Sequence, residues 1–348
     1  MSSDPTTSPS PHGGWSQSVV VLEDAVVVPP STSAKLVVKA GVFSSNRDYC
    51  RHAAMWRRDK LITAEPVFET PRSKLQGKWL WGGVLYHHFG HFQVESTARL
   101  WAVKRFRDEI EGVVFTPRDV KNGAEVLAYE RDYLQLAVGD LPVKLLSAST
   151  EIEALVVPGQ GFGLGRIAGG TRVFRRFIDQ QFAQDVAPDG PEKLFISRSK
   201  QGLGQGGFVG EEVLDRRMHK AGYTVFWPEE HSIGEQVARY KAAQRVVALD
   251  GSALHLFAMV ARRPQTVAVI LRRERIASRS LRQHLHKFMG RKPLVIDALN
   301  DTSEAEHGKK RLISALDFDM IGKALKKHDF IEKMEPWGGL TASEVSAD

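Results

Sequence analysis

From His87 to Trp101 the chain reads HHFGHFQVESTARLW, which sets His87, His88, His91, Glu95 and Arg99 among bulky apolar residues. A histidine and a carboxylate four residues apart share one helical face and can share a hydrogen bond, and burial tunes such a pair toward proton transfer near neutral pH. On a helix turning about 100° per residue, His88, His91, Glu95 and Arg99 fall within an arc of roughly 80°. Phe89, Phe92, Leu100 and Val103 flank that arc on one side, and Val94, Ala98 and Trp101 on the other. The pattern predicts a helix buried on two sides, with a polar stripe turned to a cleft. Three chemistries fit the stripe. His91 or Glu95 acts as a general base, or one orients the other; His87, His91 and Glu95 hold zinc; or the polar groups simply brace the helix. The zinc reading departs from metalloprotease helices, where the general-base glutamate adjoins the first histidine.

Two further stretches favour an anion. In FISRSKQGLGQGG, Phe195 to Gly207, a strand delivers Arg198 and Lys200 into a glycine-rich loop. Free amides and two cations at a strand's carboxyl end make a seat for a diphosphate, although the spacing is neither a P-loop nor a Rossmann fingerprint. In RVVALDGSALHLFAMV the order strand, Asp-Gly-Ser, helix puts the amides of Gly251, Ser252 and Ala253 at a helix N-terminus, where the macrodipole favours negative charge. Asp250 fits either this seat or a plain helix cap.

These residues need a frame, and residues 193–271 supply a legible one. Strand and helix patterns alternate there: KLFISRS, EEVLDRRMHKAG, YTVFWP, SIGEQVARYKAAQ with Ser232 as its N-cap, RVVALD, GSALHLFAMVA and TVAVILR. Apolar strands alternating with helices predict a parallel, doubly wound sheet, which binds ligands beyond the carboxyl ends of its strands. Upstream, SVVVLEDAVVVPP, WLWGGVLYHHFGHF, EGVVFTP, VKLLSA and ALVVP predict strands, with helices at 125–137 and 171–184. RLISALDFDMIGKALKKH predicts an amphipathic helix whose surface carries Asp317 and Asp319.

A chain of 348 residues exceeds one ordinary domain, and 42% apolar with 26% charged residues is a globular composition. The net charge of +7 points to an anionic partner. Cys50 is the single cysteine, so no intrachain disulfide forms, which fits a reducing compartment. The opening MSSDPTTSPSPHGG is a Ser/Pro-rich tail with no signal-peptide core, and no apolar run approaches a membrane span. A cytoplasmic protein is expected. Residues 272–292 carry eight Arg or Lys and one Glu: a solvated helix face, or contact with an anionic membrane surface. No recognition helix or zinc knuckle supports nucleic-acid binding, so none is expected.

Taken together these blocks resemble glycosyltransferase family 61. Gly90, His91, Phe92, Glu95, Arg99, Leu100 and Trp101 match its first block, and Ile196, Ser197 and Arg198 its second. Glu235, Gln236 and Val237 match the third, and the Gly251-Ser252-Ala253-Leu254 turn the fourth. Asp250 stands where many members carry histidine, His255 at or near a common asparagine, and GGFVGEE where a second arginine often follows. The resemblance implies an inverting, metal-independent transferase with no cofactor and two Rossmann-like domains facing a cleft (GT-B type). It implies a disordered tail over 1–14, an acceptor-side domain over 15–185, a nucleotide-sugar domain over 186–300, and a helical segment and tail over 301–348. His91 and Glu95 are then catalytic, and Arg198, Lys200, Glu235, Asp250, Gly251, Ser252, Ala253 and His255 bind the donor. The implied partners are a nucleotide sugar, a UDP-sugar above all, and a glycan or lipid-linked glycan acceptor of capsular or surface polysaccharide, at the inner face of a membrane. A zinc hydrolase built on His87, His91 and Glu95, or an inactive transferase-like binding protein, are the competing readings.

Overall fold

The computed structural model describes residues 14–31, 37–118, 125–164, 169–201, 207–272, 276–300, 315–332, 336–341 and 344. The expected tail up to residue 13, the glycine-rich run 202–206 and residues 301–314, 333–335, 342–343 and 345–348 lie outside the described residues. Two compact units divide the chain, Met1–Gln184 and Asp185–Asp348.

The first unit is built on strands β1 (Val19–Val28), β2 (Gly41–Phe43), β3 (Ser73–Leu85), β4 (Gly112–Pro117), β5 (Val143–Leu145) and β6 (Thr150–Pro158). Their order in the sheet is β2-β1-β6-β3-β4-β5. Helix α1 (Ala128–Val138) crosses from β4 to β5, and α2 (Arg172–Gln180) follows β6. Strands β6, β3, β4 and β5 are parallel, as a Rossmann-like domain requires. The β1 strand, however, runs antiparallel to both β2 and β6, so this sheet is mixed. Antiparallel neighbours need no covering crossover, and an apolar run reads the same in either direction, which is why the sequence pattern did not reveal it. Trp79, Trp81, Val114, Leu155 and Val157 form the centre of its core.

The second unit alternates as the sequence predicts: β7 (Lys193–Ile196), α3 (Glu211–Lys220), β8 (Thr224–Phe226), α4 (Ile233–Ala242), β9 (Arg245–Leu249), α5 (Ala253–Val260), β10 (Thr266–Ile270), α6 (Ile276–Met289), β11 (Leu294–Ile296) and α7 (Phe318–Lys327). Its sheet runs β8-β7-β9-β10-β11 and is parallel throughout. Phe195, Val247, Leu249, Ala268 and Ile270 are buried in one cluster with Leu214, Met218 and Ile321. Every carboxyl end therefore opens on one edge, where Ser197, Asp250 and Leu271 begin the loops.

The Asp-x-Asp of the C-terminal helix is not helix surface at both positions. Asp317 is the N-cap of α7, accepting from Met320 N–H at 2.9 Å, and Asp319 pairs with Lys323 one turn on. Upstream of it the expected helix gives way to a two-residue strand, Ala315–Leu316. Among the described residues no helix is long and apolar enough to cross a membrane.

Candidate functional site

In the first unit the predicted helix is not a regular one. A single α turn (Phe89–His91) passes into a π turn (Phe92–Ser96), then a 3-10 turn (Leu100–Ala102) and a last α turn (Val103–Phe106). The π turn closes through Thr97 N–H to Phe92 O at 3.2 Å, and such turns recur at functional sites. Ser96 pins it to the carboxyl end of β3: its hydroxyl donates to Val84 O and accepts from Tyr86 N–H, both at 2.9 Å. The change of helical pitch corrects the stripe. Arg99 is 2% exposed and donates to Pro158 O and to Ala54 O, tying three chain segments together instead of facing a cleft. Gly83 beside it is at φ +108°, a left-handed conformation that favours glycine.

His91 and Glu95 do come together. His91 Nδ1 lies 3.2 Å from Glu95 Oε1. The surprise is Arg57, whose Nε and Nη2 donate to the two carboxylate oxygens at 2.6 and 2.7 Å. Arg57 sits on a tight hairpin, Trp56–Arg57 against Lys60–Leu61. Buried Gln160 fixes that hairpin by accepting from Trp56 N–H at 2.8 Å and donating to Trp56 O at 2.7 Å. Burial pushes the Glu95 carboxyl up, but hydrogen bonds and charge from His91 and Arg57 outweigh it and hold it below its ordinary value. An ionised carboxylate only accepts, so the hydrogen bond to Glu95 places a proton on His91 Nδ1 and leaves Nε2 at the ring's other edge. The His91 ring, 40% exposed, rests against Tyr86 and His88, with centroids 5.4 and 4.8 Å away. No spacing links Arg57 to Glu95, 38 residues apart, so only the fold could reveal it.

His87 turns elsewhere: its Nδ1 meets buried Glu130 Oε1 at 2.9 Å on α1. The three side chains of the zinc reading are thus not gathered, and among the described residues no three of His, Cys, Asp and Glu group as ligands.

In the second unit the carboxyl edge collects a different set. Arg198, after β7, and Arg272, after β10, are both buried, 7% and 4% exposed. Arg198 lies flat on Gly251, where a Cβ would come within 2.8 Å of Nη1. Arg272 donates through Nε to Asp250 O. The first residue of the basic run is therefore a buried strand-end group, not part of a solvated helix face. Asp250 does not cap α5; its Oδ2 accepts from Ser278 on α6. Helix bonding in α5 begins at Leu254 N–H, to Gly251 O at 3.1 Å, so the amides of Gly251, Ser252 and Ala253 precede it.

Other predicted donor residues point away from this corner. Lys200 pairs with Glu230 at 2.6 Å and lies over the Trp227 ring at 4.1 Å. Glu235 closes the capping box of α4, accepting from Ser232 N–H and hydroxyl, each at 2.9 Å. His255 Nδ1 faces His284 Nδ1 at 2.9 Å, under α6. Sequence reading passed over two acids of α3, Glu211 and Asp215, one turn apart on the same face. Asp215 accepts from Ser197 and Ser199 hydroxyls, each at 2.6 Å, and so fixes the turn that carries Arg198.

An α/β unit with arginines and a glycine corner at the carboxyl edge of a parallel sheet is the frame of enzymes that hold phosphorylated ligands. The model of the glycosyltransferase 61 family matches residues 89–269, more than half the chain, and takes in His91 and Glu95 of the first cluster and Arg198 and Gly251 of the second, with Arg57 and Arg272 outside it. The chain belongs to this family of glycosyltransferases. No curated protein matches it.

Proposed function

We propose that the protein is an inverting glycosyltransferase of GT-B type that moves a sugar from a nucleotide sugar, a UDP-sugar above all, to a glycan acceptor of surface polysaccharide. The observation that carries this reading is the pair of buried arginines, Arg198 and Arg272, at the strand ends beside the open amides of Gly251, Ser252 and Ala253. Two guanidinium groups and a helix N-terminus suit the charge that develops on a departing diphosphate, without a metal.

The first unit supplies the base. His91 Nε2 takes the proton of the acceptor hydroxyl while its oxygen bonds to the anomeric carbon; the bond from that carbon to the diphosphate oxygen breaks, with inversion. Glu95 is then a positioning residue. Its oxygens are occupied by Arg57 and His91, and its role is to fix the imidazole tautomer and stabilise the imidazolium. The exposed Arg279, Lys287, Arg291 and Lys292 are the part of the basic run that suits an anionic membrane surface.

A thermal-shift screen against UDP, GDP, CMP and their sugar conjugates, with and without EDTA, tests the reading, since a ligand of the folded state raises the melting temperature. One nucleotide class raising it, undiminished by EDTA, is expected. No shift with any of them would overturn the reading.

A further inference from the structure

The carboxyl edge of the second unit carries an aromatic ring that the transfer step does not use. Trp227 follows β8, and the sheet order β8-β7-β9-β10 puts it one strand from Arg198 and two from the Gly251 corner. The half-buried indole is held by its edge: Nε1 donates to Ser199 Oγ at 2.8 Å and to Asp215 Oδ2 at 3.3 Å. Asp215 also accepts from the Ser197 and Ser199 hydroxyls, so one carboxylate fixes both the ring and the turn that carries Arg198. A ring fixed by its N–H edge offers its faces for contact. One face is covered by Lys200, whose Nζ stands 4.1 Å from the ring centroid and pairs with Glu230 at 2.6 Å. Both side chains of that pair are 44% exposed, so the covered face is turned to solvent, and an ion pair so exposed holds only weakly.

Charge sets the direction in which a nucleotide lies along this edge. The exposed Glu229 and Glu230 follow the ring on the 3-10 turn Pro228–Glu230, whereas the buried Arg198 and Arg272 lie on the other side, with the amides of Gly251, Ser252 and Ala253. A diphosphate is repelled at the first end and drawn to the second, which leaves the neutral base for the ring. Neighbouring strands lie about 4.8 Å apart, so ring and seat are roughly 5 to 10 Å from each other, a span that one ribose bridges. Resting on the donor reading above, we propose that Trp227 is the nucleobase platform of the seat: the base stacks on the indole face that Lys200 covers, and Lys200 gives way to it. Every base has a π-face, so the platform raises affinity for the nucleotide and is indifferent to the sugar.

The test is isothermal titration calorimetry of the full chain with UDP, dihydro-UDP and inorganic pyrophosphate. Dihydro-UDP keeps the polar edge of uracil but has lost the flat aromatic ring, so it reads stacking without any variant having to fold. The wild type should bind UDP about ten-fold tighter than dihydro-UDP. Trp227→Ala should bind UDP about ten-fold more weakly than the wild type, with pyrophosphate affinity unchanged, and should no longer distinguish UDP from dihydro-UDP. Trp227→Phe, which keeps a ring but loses the N–H, should recover most of the UDP affinity. UDP bound no tighter than dihydro-UDP by the wild type would overturn the proposal and leave the seat standing. So would Trp227→Ala weakened equally for UDP and pyrophosphate, the mark of a ring that only props the Arg198 turn, or unchanged for UDP, or matched in weakness by Trp227→Phe. Binding of neither UDP nor pyrophosphate by the wild type would overturn the seat itself, and the proposal with it.

Discussion

The two clusters use arginine in different ways. Around Glu95 the carboxylate is fully met: Arg57 grips it in two parallel bonds and His91 adds a third, so what remains half-exposed is the imidazole ring. At the second unit's edge no such bidentate grip on an acid is seen among the described residues: Arg198 and Arg272 are buried at the strand ends, and Arg272 donates to the Asp250 backbone. The first arrangement is the proposed base, the second the proposed donor seat. The backbones differ as well. The proposed base rides on a helix of three pitches, whereas the proposed seat sits at the regular edge of a parallel sheet.

The contrast breaks most sharply at His91. His91→Ala should lower kcat by about 10²- to 10⁴-fold, the range for a lost general base, with donor affinity unchanged. Steady-state kinetics at varied donor checks it, and an equal rise in donor KM would place His91 in the seat instead.

Next is the buried histidine near Arg99. His52, 2% exposed, is pushed down to about 4, first by burial and then by the Arg99 charge. An unfolded imidazole takes its proton near 6.5 and the folded one only near 4. Stability from this group is therefore full above pH 6.5 and falls by roughly 3 kcal/mol as pH drops to 4. Denaturant melts at pH 7 and pH 4 should show this slope in the wild type and a flatter one in His52→Phe.

A somewhat smaller effect is expected in the seat. Arg198→Ala should weaken nucleotide-sugar binding by about ten- to a hundredfold, the worth of a charge-assisted hydrogen bond. Because the side chain is buried, the variant should also melt at a lower temperature without ligand, so affinity is compared where both proteins are folded. The smallest effect sharpens the boundary of the seat. Glu235→Ala should lower the melting temperature slightly, through loss of the α4 capping box, and leave donor affinity alone. Weaker donor binding in that variant would return Glu235 to the seat.

How much of this was legible in the sequence follows from the same contrast. Parallel strands and caps are local patterns, so the alternation of residues 193–271, the Ser232 cap and the glycine turn at 251 could be read directly. The His91–Glu95 pair was legible because i, i+4 neighbours meet in an α turn or a π turn alike. Arg99 was misplaced because helical pitch changes after Ser96, which no residue type announces. Lys200 was expected in the seat from its place after a strand and Glu235 from the family resemblance; the contacts each makes, with Glu230 and with the Ser232 cap, could be seen only in the fold. Arg57 and Arg272 reach their partners only through the fold.

The most direct test of the division between the two regions is to titrate one nucleotide sugar into His91→Ala and Arg198→Ala side by side by calorimetry. The account predicts wild-type affinity in the first and affinity at least about ten-fold weaker in the second. Equal weakening in both, or none in either, would contradict it.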